Sequence, residues 1–254
     1  MSIDLNKRSE AATISLTKVL QTAADKGQDL GEVSAQVILV IDYSGSMIPF
    51  YSSGEVQELA ERVLGLSMSG LDDDGNVQVF PFHHEALEPF VVDATNYSGA
   101  IDRWRFEEVP VGGKGLFGKQ KTRTQERRMG GTEYAAAINA VVQFVKTEGM
   151  LNAGKPPVLV VFQTDGGSAS SGLDKQLLTQ YANLPIFWQF LGLGNDTGFL
   201  DVLDKLPNRV VDNVGTCSFP KVSNVPDETF YDELVSEFLP KWLPAARAAG
   251  IVTV

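Results

Sequence analysis

At 254 residues, with 43% apolar and 21% charged side chains, the chain has the length and apolar content for one large α/β domain with a conventional core. A formal net charge of −11 argues against a general nucleic-acid role, which takes clustered Lys and Arg, and favours a cation or a basic partner. Cys217 is the only cysteine, which excludes an intrachain disulfide and a cysteine-based zinc site and leaves it as a small buried hydrophobe.

The opening MSIDLNKRSEAAT lacks the basic-then-apolar order of a secretory signal. No apolar run approaches the roughly 20 residues that span a bilayer, so the expected place is the cytoplasm. Residues 1–33 form an arm ahead of the first core strand. Ala12, Leu16, Val19, Leu20 and Ala23 recur at helical spacing there, which predicts an amphipathic helix packed on a domain spanning 34–254.

Residues 36–41 (QVILVI) are almost continuously β-branched, the mark of a strand covered on both faces. Residues 56–68 show helical spacing. Residues 76–82 alternate as a strand, with Pro81 predicting an early end, and 86–92 read as a short strand after the His83–His84–Glu85 turn. Helices are expected over 97–106 and 132–147. The glycine-rich stretch 112–131 carries Lys114, Lys119, Lys121, Arg123, Arg127 and Arg128 against Glu126, which predicts a mobile basic loop within 107–131. Further buried strands are expected at 157–163 and 185–191, helices at 173–182 and 199–206, a last strand at 209–214, and a closing helix over 230–239 within a helical segment 225–250. Alternating strands and helices predict a mostly parallel sheet covered on both faces.

The residues suited to chemistry stand at strand ends. Asp42-Tyr43-Ser44-Gly45-Ser46 follows the first buried strand, where open α/β sheets bind their ligands. Gly45 is expected to permit the tight turn that gathers the three side chains. Thr164-Asp165-Gly166-Gly167 follows a second buried strand, and Gly130-Gly131-Thr132 opens a strong helix between them. Each piece alone has a plain structural reading: Asp42 as a loop anchor, Thr132 as a helix cap, Asp165-Gly166 as a turn. Together they supply two carboxylates and three hydroxyls, an all-oxygen set that suits Mg²⁺ or Mn²⁺ ahead of Ca²⁺.

This pattern, Asp42, Ser44, Ser46, Thr132 and Asp165 in order on matching elements, resembles the metal-ion-dependent adhesion site (MIDAS) of von Willebrand factor A (vWA) domains. More narrowly, IDYSGSM, the following YSSGEVQELAERVLGLSMSGLDDDG and the arm's ISLTK resemble the A-domain proteins of bacterial tellurium-resistance (Ter) systems. The resemblance implies a Rossmann-like, doubly wound six-stranded sheet with one antiparallel edge strand, 86–92. It implies direct ligation by Ser44, Ser46 and Thr132, with Asp42 and Asp165 acting mainly through water, and an open position for an Asp or Glu of a protein partner.

Competing sites are weaker. The run from Gly113 to Gln120 nearly spells a phosphate-binding P-loop, but Gln120 replaces the metal-binding hydroxyl and no strand is expected before it. His83 and His84, on an extended segment, are expected to face opposite ways, and no G-x-S-x-G elbow accompanies them. Two function classes follow: a non-enzymatic, metal-dependent protein-binding module, and a metal-assisted hydrolase or phosphotransferase using the same oxygens.

Overall fold

The computed structural model describes residues 5–27, 30–114 and 120–254, with 112–114, 120 and 121 described as backbone only. Six strands form the main sheet: β1 (Gln36–Asp42), β2 (Val77–Phe82), β3 (Phe90–Val92), β6 (Val158–Thr164), β7 (Ile186–Leu193) and β8 (Val214–Phe219). Their order is β3-β2-β1-β6-β7-β8, all parallel except the edge strand β3, which runs antiparallel to β2.

The continuous apolar runs are explained by two packed faces. Along β1, Val37, Leu39 and Ile41 join one apolar cluster, while Ile38 and Val40 join the other. The first cluster includes residues of α1 (Leu5–Asp25), α2 (Ile48–Ser52), α3 (Glu55–Leu66), α4 (Ala100–Arg105), α8 (Asp227–Val235) and α9 (Leu243–Ala248). The second includes residues of α5 (Tyr134–Thr147), α6 (Ser171–Gln180) and α7 (Gly198–Asp204). A strand covered twice has no polar-facing position, so alternation disappears from its sequence.

α1 lies against α3 and α8. Ala12, Leu16 and Ala23 are buried there, Val19 and Leu20 partly so. The fully buried Arg8 anchors the helix, its Nη2 2.7 Å from Glu58 and 3.5 Å from Glu61. Removing a partner from such a buried pair typically costs about 3–5 kcal/mol, because the remaining charge stays desolvated. No described helix is long and apolar enough to cross a membrane.

Several elements differ from the sequence reading. Pro81 does not end β2 early: it pairs with Ile41 inside the strand. The Phe82 carbonyl accepts the Tyr43 N–H on the β1 side, while the Pro81 carbonyl accepts the Leu87 N–H on the edge side. The missing proline N–H therefore faces the edge, beyond the last β2–β3 pair at Val79 and Phe90. The stretch expected as an irregular basic loop is, in its described part, a two-stranded antiparallel ribbon of β4 (Phe106–Lys114) and β5 (Gln120–Glu126). Across the ribbon Arg127 lies 3.0 Å from Glu107, and Thr124 donates to Glu108 at 2.6 Å. The near P-loop falls mostly on 115–119, outside the described residues.

The last strand is β8, not 209–214, where Arg209 pairs with Asp212 and Val210 is 66% exposed. Gly215 obscured β8, and its presence has a packing reason: a Cβ there would stand 2.7 Å from Gln189 Oε1 and 2.9 Å from Phe187 Cζ. The closing helix breaks into α8 and α9 around a wide turn at Phe238–Trp242 that contains Pro240. Cys217 is buried in the first cluster, which pushes its thiol pKa up to about 12.

Candidate metal centre

After β3 the chain returns to the other side of β1, so β1 and β6 flank the point where the sheet's winding reverses. Asp42 is the last residue of β1 and Asp165 follows the last of β6, which brings both to the crevice beyond the strands' carboxyl ends. Asp42 is fully buried: its Oδ1 accepts the Ser44 N–H at 2.8 Å and its Oδ2 the Thr164 hydroxyl at 2.8 Å. Beyond it the Ser44 and Ser46 hydroxyls are 3.1 Å apart, and Ser46 Oγ donates to Asp165 Oδ1 at 3.0 Å. Four of the five expected residues therefore form one hydrogen-bonded chain that runs from the buried Asp42 through Ser44 and the exposed Ser46 to Asp165.

Thr132 reaches the same rim through its backbone. Gly130 bridges to Ser44, its carbonyl accepts the Gly45 N–H at 3.1 Å, and its N–H donates to the Tyr43 carbonyl at 3.4 Å. The Thr132 carbonyl accepts the Ala169 N–H at 2.8 Å, which ties this loop to the one that follows β6. The structure brings Asp42, Ser44, Ser46 and Asp165 into contact and carries Thr132, partly buried, beside them.

Gly45 plays a smaller part than expected. It begins a short 3₁₀ turn, Gly45–Met47, outside the left-handed region, and a Cβ there would meet no described atom within 4 Å. Gly130 is the glycine that the site requires. A Cβ on it would come 2.4 Å from His84 Nδ1 and 2.8 Å from His83 Cγ. The two imidazoles do not face opposite ways: they stack with centroids 4.2 Å apart and planes 10° from parallel. The cause is a tight turn, in which the His83 N–H bonds to the Glu85 carbonyl and Phe82 bridges to Ala86.

Electrostatics favour a cation here. Burial raises the Asp42 carboxyl to about 6 against the pull of its hydrogen bonds from Ser44 and Thr164, and the charge of Asp165 adds to the rise. Burial also raises Asp165, and the exposed Asp196 on the loop after β7 adds to it. Carboxylates raised in this way gain from a nearby positive charge.

Several supporting residues carried no sequence signal. Thr164 stands in the motif after the second buried strand without an assigned role, yet its hydroxyl links Asp42 to Tyr134, whose OH lies 3.0 Å from Thr164 Oγ1. Tyr51 donates to the Asp42 carbonyl at 2.9 Å. Ser168 accepts the Tyr134 N–H at 3.1 Å, and Ser170 donates to the buried Asp174 at 2.6 Å, which fastens the start of α5 to the loop after β6. Serines two apart after a turn are too common to single out. A separate carboxylate cluster, Asp72, Asp73 and Asp74, lies at the opposite end of β1, where Asp72 Oδ2 accepts the Val37 N–H at 2.7 Å.

A family model described as the vWA domain found in the TerF C terminus matches residues 34–252. The uncharacterized protein YcbR of Bacillus subtilis (strain 168) is 31% identical over 242 residues, which cover 95% of this chain and 90% of that protein. Among solved structures, proximal thread matrix protein 1 from the mussel byssus superposes with a TM-score of 0.54 at 16% identity. A second crystal form of it gives 0.51 at 18%. Each covers 80% of this chain, which spans about half of that protein's length, 47% and 48%.

Proposed function

Because the chain belongs to the TerF-like family of vWA domains, we propose that it is a divalent-cation-dependent protein-binding module. The observation that carries this reading is the oxygen chain Asp42–Ser44–Ser46–Asp165 at the winding switch of the sheet. Adjacent ligands of an octahedral Mg²⁺, each about 2.0–2.1 Å from the ion, stand about 3 Å apart. The 3.1 Å between the Ser44 and Ser46 hydroxyls suits that requirement, and Asp165, accepting from Ser46 at 3.0 Å, stands one shell further out.

In this reading Ser44, Ser46 and Thr132 hold the ion directly. Asp42, whose oxygens are engaged by Ser44 and Thr164, and Asp165 act from one shell further out. The ion is Mg²⁺ or Mn²⁺. When bound it supplies an electrophilic centre with a position open to an Asp or Glu of the partner protein. What the chain's own residues supply is placement: Gly130 and the Ser168–Ser170–Asp174 contacts hold the Thr132 and Asp165 loops against the Asp42 loop. The proposed setting is a bacterial tellurium-resistance or stress-response system in the cytoplasm.

The reading is of a non-enzyme. In it both histidines serve the turn after β2: His83 accepts the Glu85 N–H on Nδ1 at 3.0 Å, and its ring stacks on that of His84. Thermal melting tests the ion: millimolar Mg²⁺ or Mn²⁺ added to chelator-stripped protein should raise the melting temperature, and an unchanged temperature with both ions would refute it. A screen of phosphate and carboxylate esters with the same ions tests the non-enzymatic part. Turnover that disappears in Ser46→Ala would replace the binding module with a metal-assisted hydrolase.

A further inference from the structure

The β4–β5 ribbon puts a basic surface beside an acidic rim. From Asp102 to Arg128 the sequence holds eight of the chain's 21 Lys and Arg residues against four acids, in a protein of net charge −11, and the side chains described are those of Arg103, Arg105, Arg123, Arg127 and Arg128. The described ion pairs of this segment use Arg105, with Asp102 and Glu126, and Arg127, with Glu107. Arg123 gives one hydrogen bond, to Gln125 at 3.0 Å, and the Arg103 guanidinium donates to the Ser98 and Asn96 carbonyls. Among the described residues, Arg103, Arg123 and Arg128 have no acidic partner, and all three are exposed.

This surface leads directly into the rim. The Arg127 carbonyl accepts the Tyr43 hydroxyl at 2.9 Å, and Gly130, pairing with Ser44 and Gly45, precedes Thr132. Beside the ribbon's base lies a cavity of about 310 Å³, lined by Phe90, Trp104, Arg103 and Arg127 among others. Trp104 stacks on Phe90 and lies under the Arg127 guanidinium. Tyr43 touches the same Trp104 edge-on at 4.9 Å, so the cavity is one ring away from the Asp42 loop.

We propose, resting on the ion reading above, that the ribbon is the docking surface for an acidic segment of the partner protein. One carboxylate of that segment reaches the ion, and its neighbouring Asp and Glu residues lie over Arg123, Arg128 and the Arg103–Trp104 cavity. Complementarity decides the class of partner. A net charge of −11 repels an acidic segment on average, so its approach is steered toward the exposed arginines that have no acidic partner among the described residues. Exposed pairs are individually weak and are screened beyond about 8–10 Å at ordinary salt, so they act as a group and fade as salt rises.

The probe is a fluorescent, end-blocked polyglutamate peptide, read by anisotropy in Mg²⁺ at low salt. The wild type should bind it, and chelator or Ser46→Ala should weaken binding. The exposed double variant Arg123→Glu/Arg128→Glu should weaken it by roughly tenfold or more. Arg123→Lys/Arg128→Lys should retain binding, and the same charge change at Lys26→Glu/Lys155→Glu, away from the rim, should change it less than about twofold. Matching melting curves confirm that the variants are folded. Failure of the wild type to bind the peptide overturns the proposal. If the double variant binds as the wild type does in Mg²⁺, the ribbon role is wrong while the ion reading stands. If the ribbon variant loses binding while chelator and Ser46→Ala change nothing, the ribbon is an anion surface unconnected with the ion, and joint docking is overturned. A single-stranded oligonucleotide that displaces the peptide from the ribbon would assign the surface to nucleic acid and overturn it as well.

Discussion

The Ser46 hydroxyl donates to Asp165 Oδ1 at 3.0 Å across 119 residues of chain, and this bond joins the loop after β1 to the loop after β6. Neither residue is part of the core. Their meeting depends on the direct pairing of β1 with β6, from Gln36 and Val158 to Ile41 and Gln163, which brings the two strand ends level. The sheet's register therefore sets the site, and changes at the rim should alter ion binding with little effect on folding.

Asp42→Asn separates charge from shape. With its carboxyl raised to about 6 by burial, the charged form destabilises the ion-free fold above that pH. The amide keeps an acceptor for the Ser44 N–H, turns a donor toward the Thr164 hydroxyl, which must then accept, and removes the charge. In chelator near pH 7.5, the variant should gain on the order of 1–3 kcal/mol over wild type, and it should lose the stabilisation by Mg²⁺. Denaturant melts with and without chelator measure both effects. A variant less stable than wild type in chelator would mean that the Asp42 charge supports the fold.

Gly130→Ala should displace the Thr132 loop, because the added Cβ meets both stacked imidazoles below contact distance. Overpacking of this kind typically costs about 1–3 kcal/mol. Mg²⁺ affinity should fall by more than roughly tenfold, since a shift of a few tenths of an ångström spoils octahedral geometry. Calorimetry that finds wild-type affinity would show that Thr132 is not held by this contact.

The ion-free protein should lose stability as pH rises through the range between the ordinary carboxylate pKa and 7. Asp72 is raised to about 7, chiefly by burial and against the Val37 N–H, and Asp42 to about 6. Between its unfolded and folded pKa, each group binds more protons in the folded state, so the slope of stability with pH is negative. Melting temperatures in chelator should fall from about pH 5 to about pH 7 on this account, and Asp72→Asn should flatten the upper part of the curve. A wild-type curve that rises over that range would contradict the burial of these carboxyls.

What was legible in the sequence follows from what has a local signature. The doubly covered strands announce themselves as apolar runs, and Asp42, Ser44, Ser46, Thr132 and Asp165 stand at element ends that the same runs locate. The ribbon was hidden because its strands bury little and its ties run across it, from Arg127 to Glu107 and from Thr124 to Glu108. β8 was hidden because Gly215 answers to the side chains of Phe187 and Gln189, a demand set by tertiary packing. The Thr164–Tyr134 relay depends likewise on residues distant in sequence, whereas the His83–His84 stack comes from the geometry of a local turn.

The most direct measurement is isothermal titration calorimetry of Mg²⁺ into metal-stripped wild type and Ser46→Ala at low-millimolar concentrations. Ser46 is exposed, so the variant's stability in chelator should stay within about 0.5 kcal/mol of wild type. The wild type should bind one ion per chain, and the variant should give no saturable heat. Equal saturable heats from both proteins, or none from the wild type, would contradict the assignment of Asp42, Ser44, Ser46, Thr132 and Asp165 as a metal site.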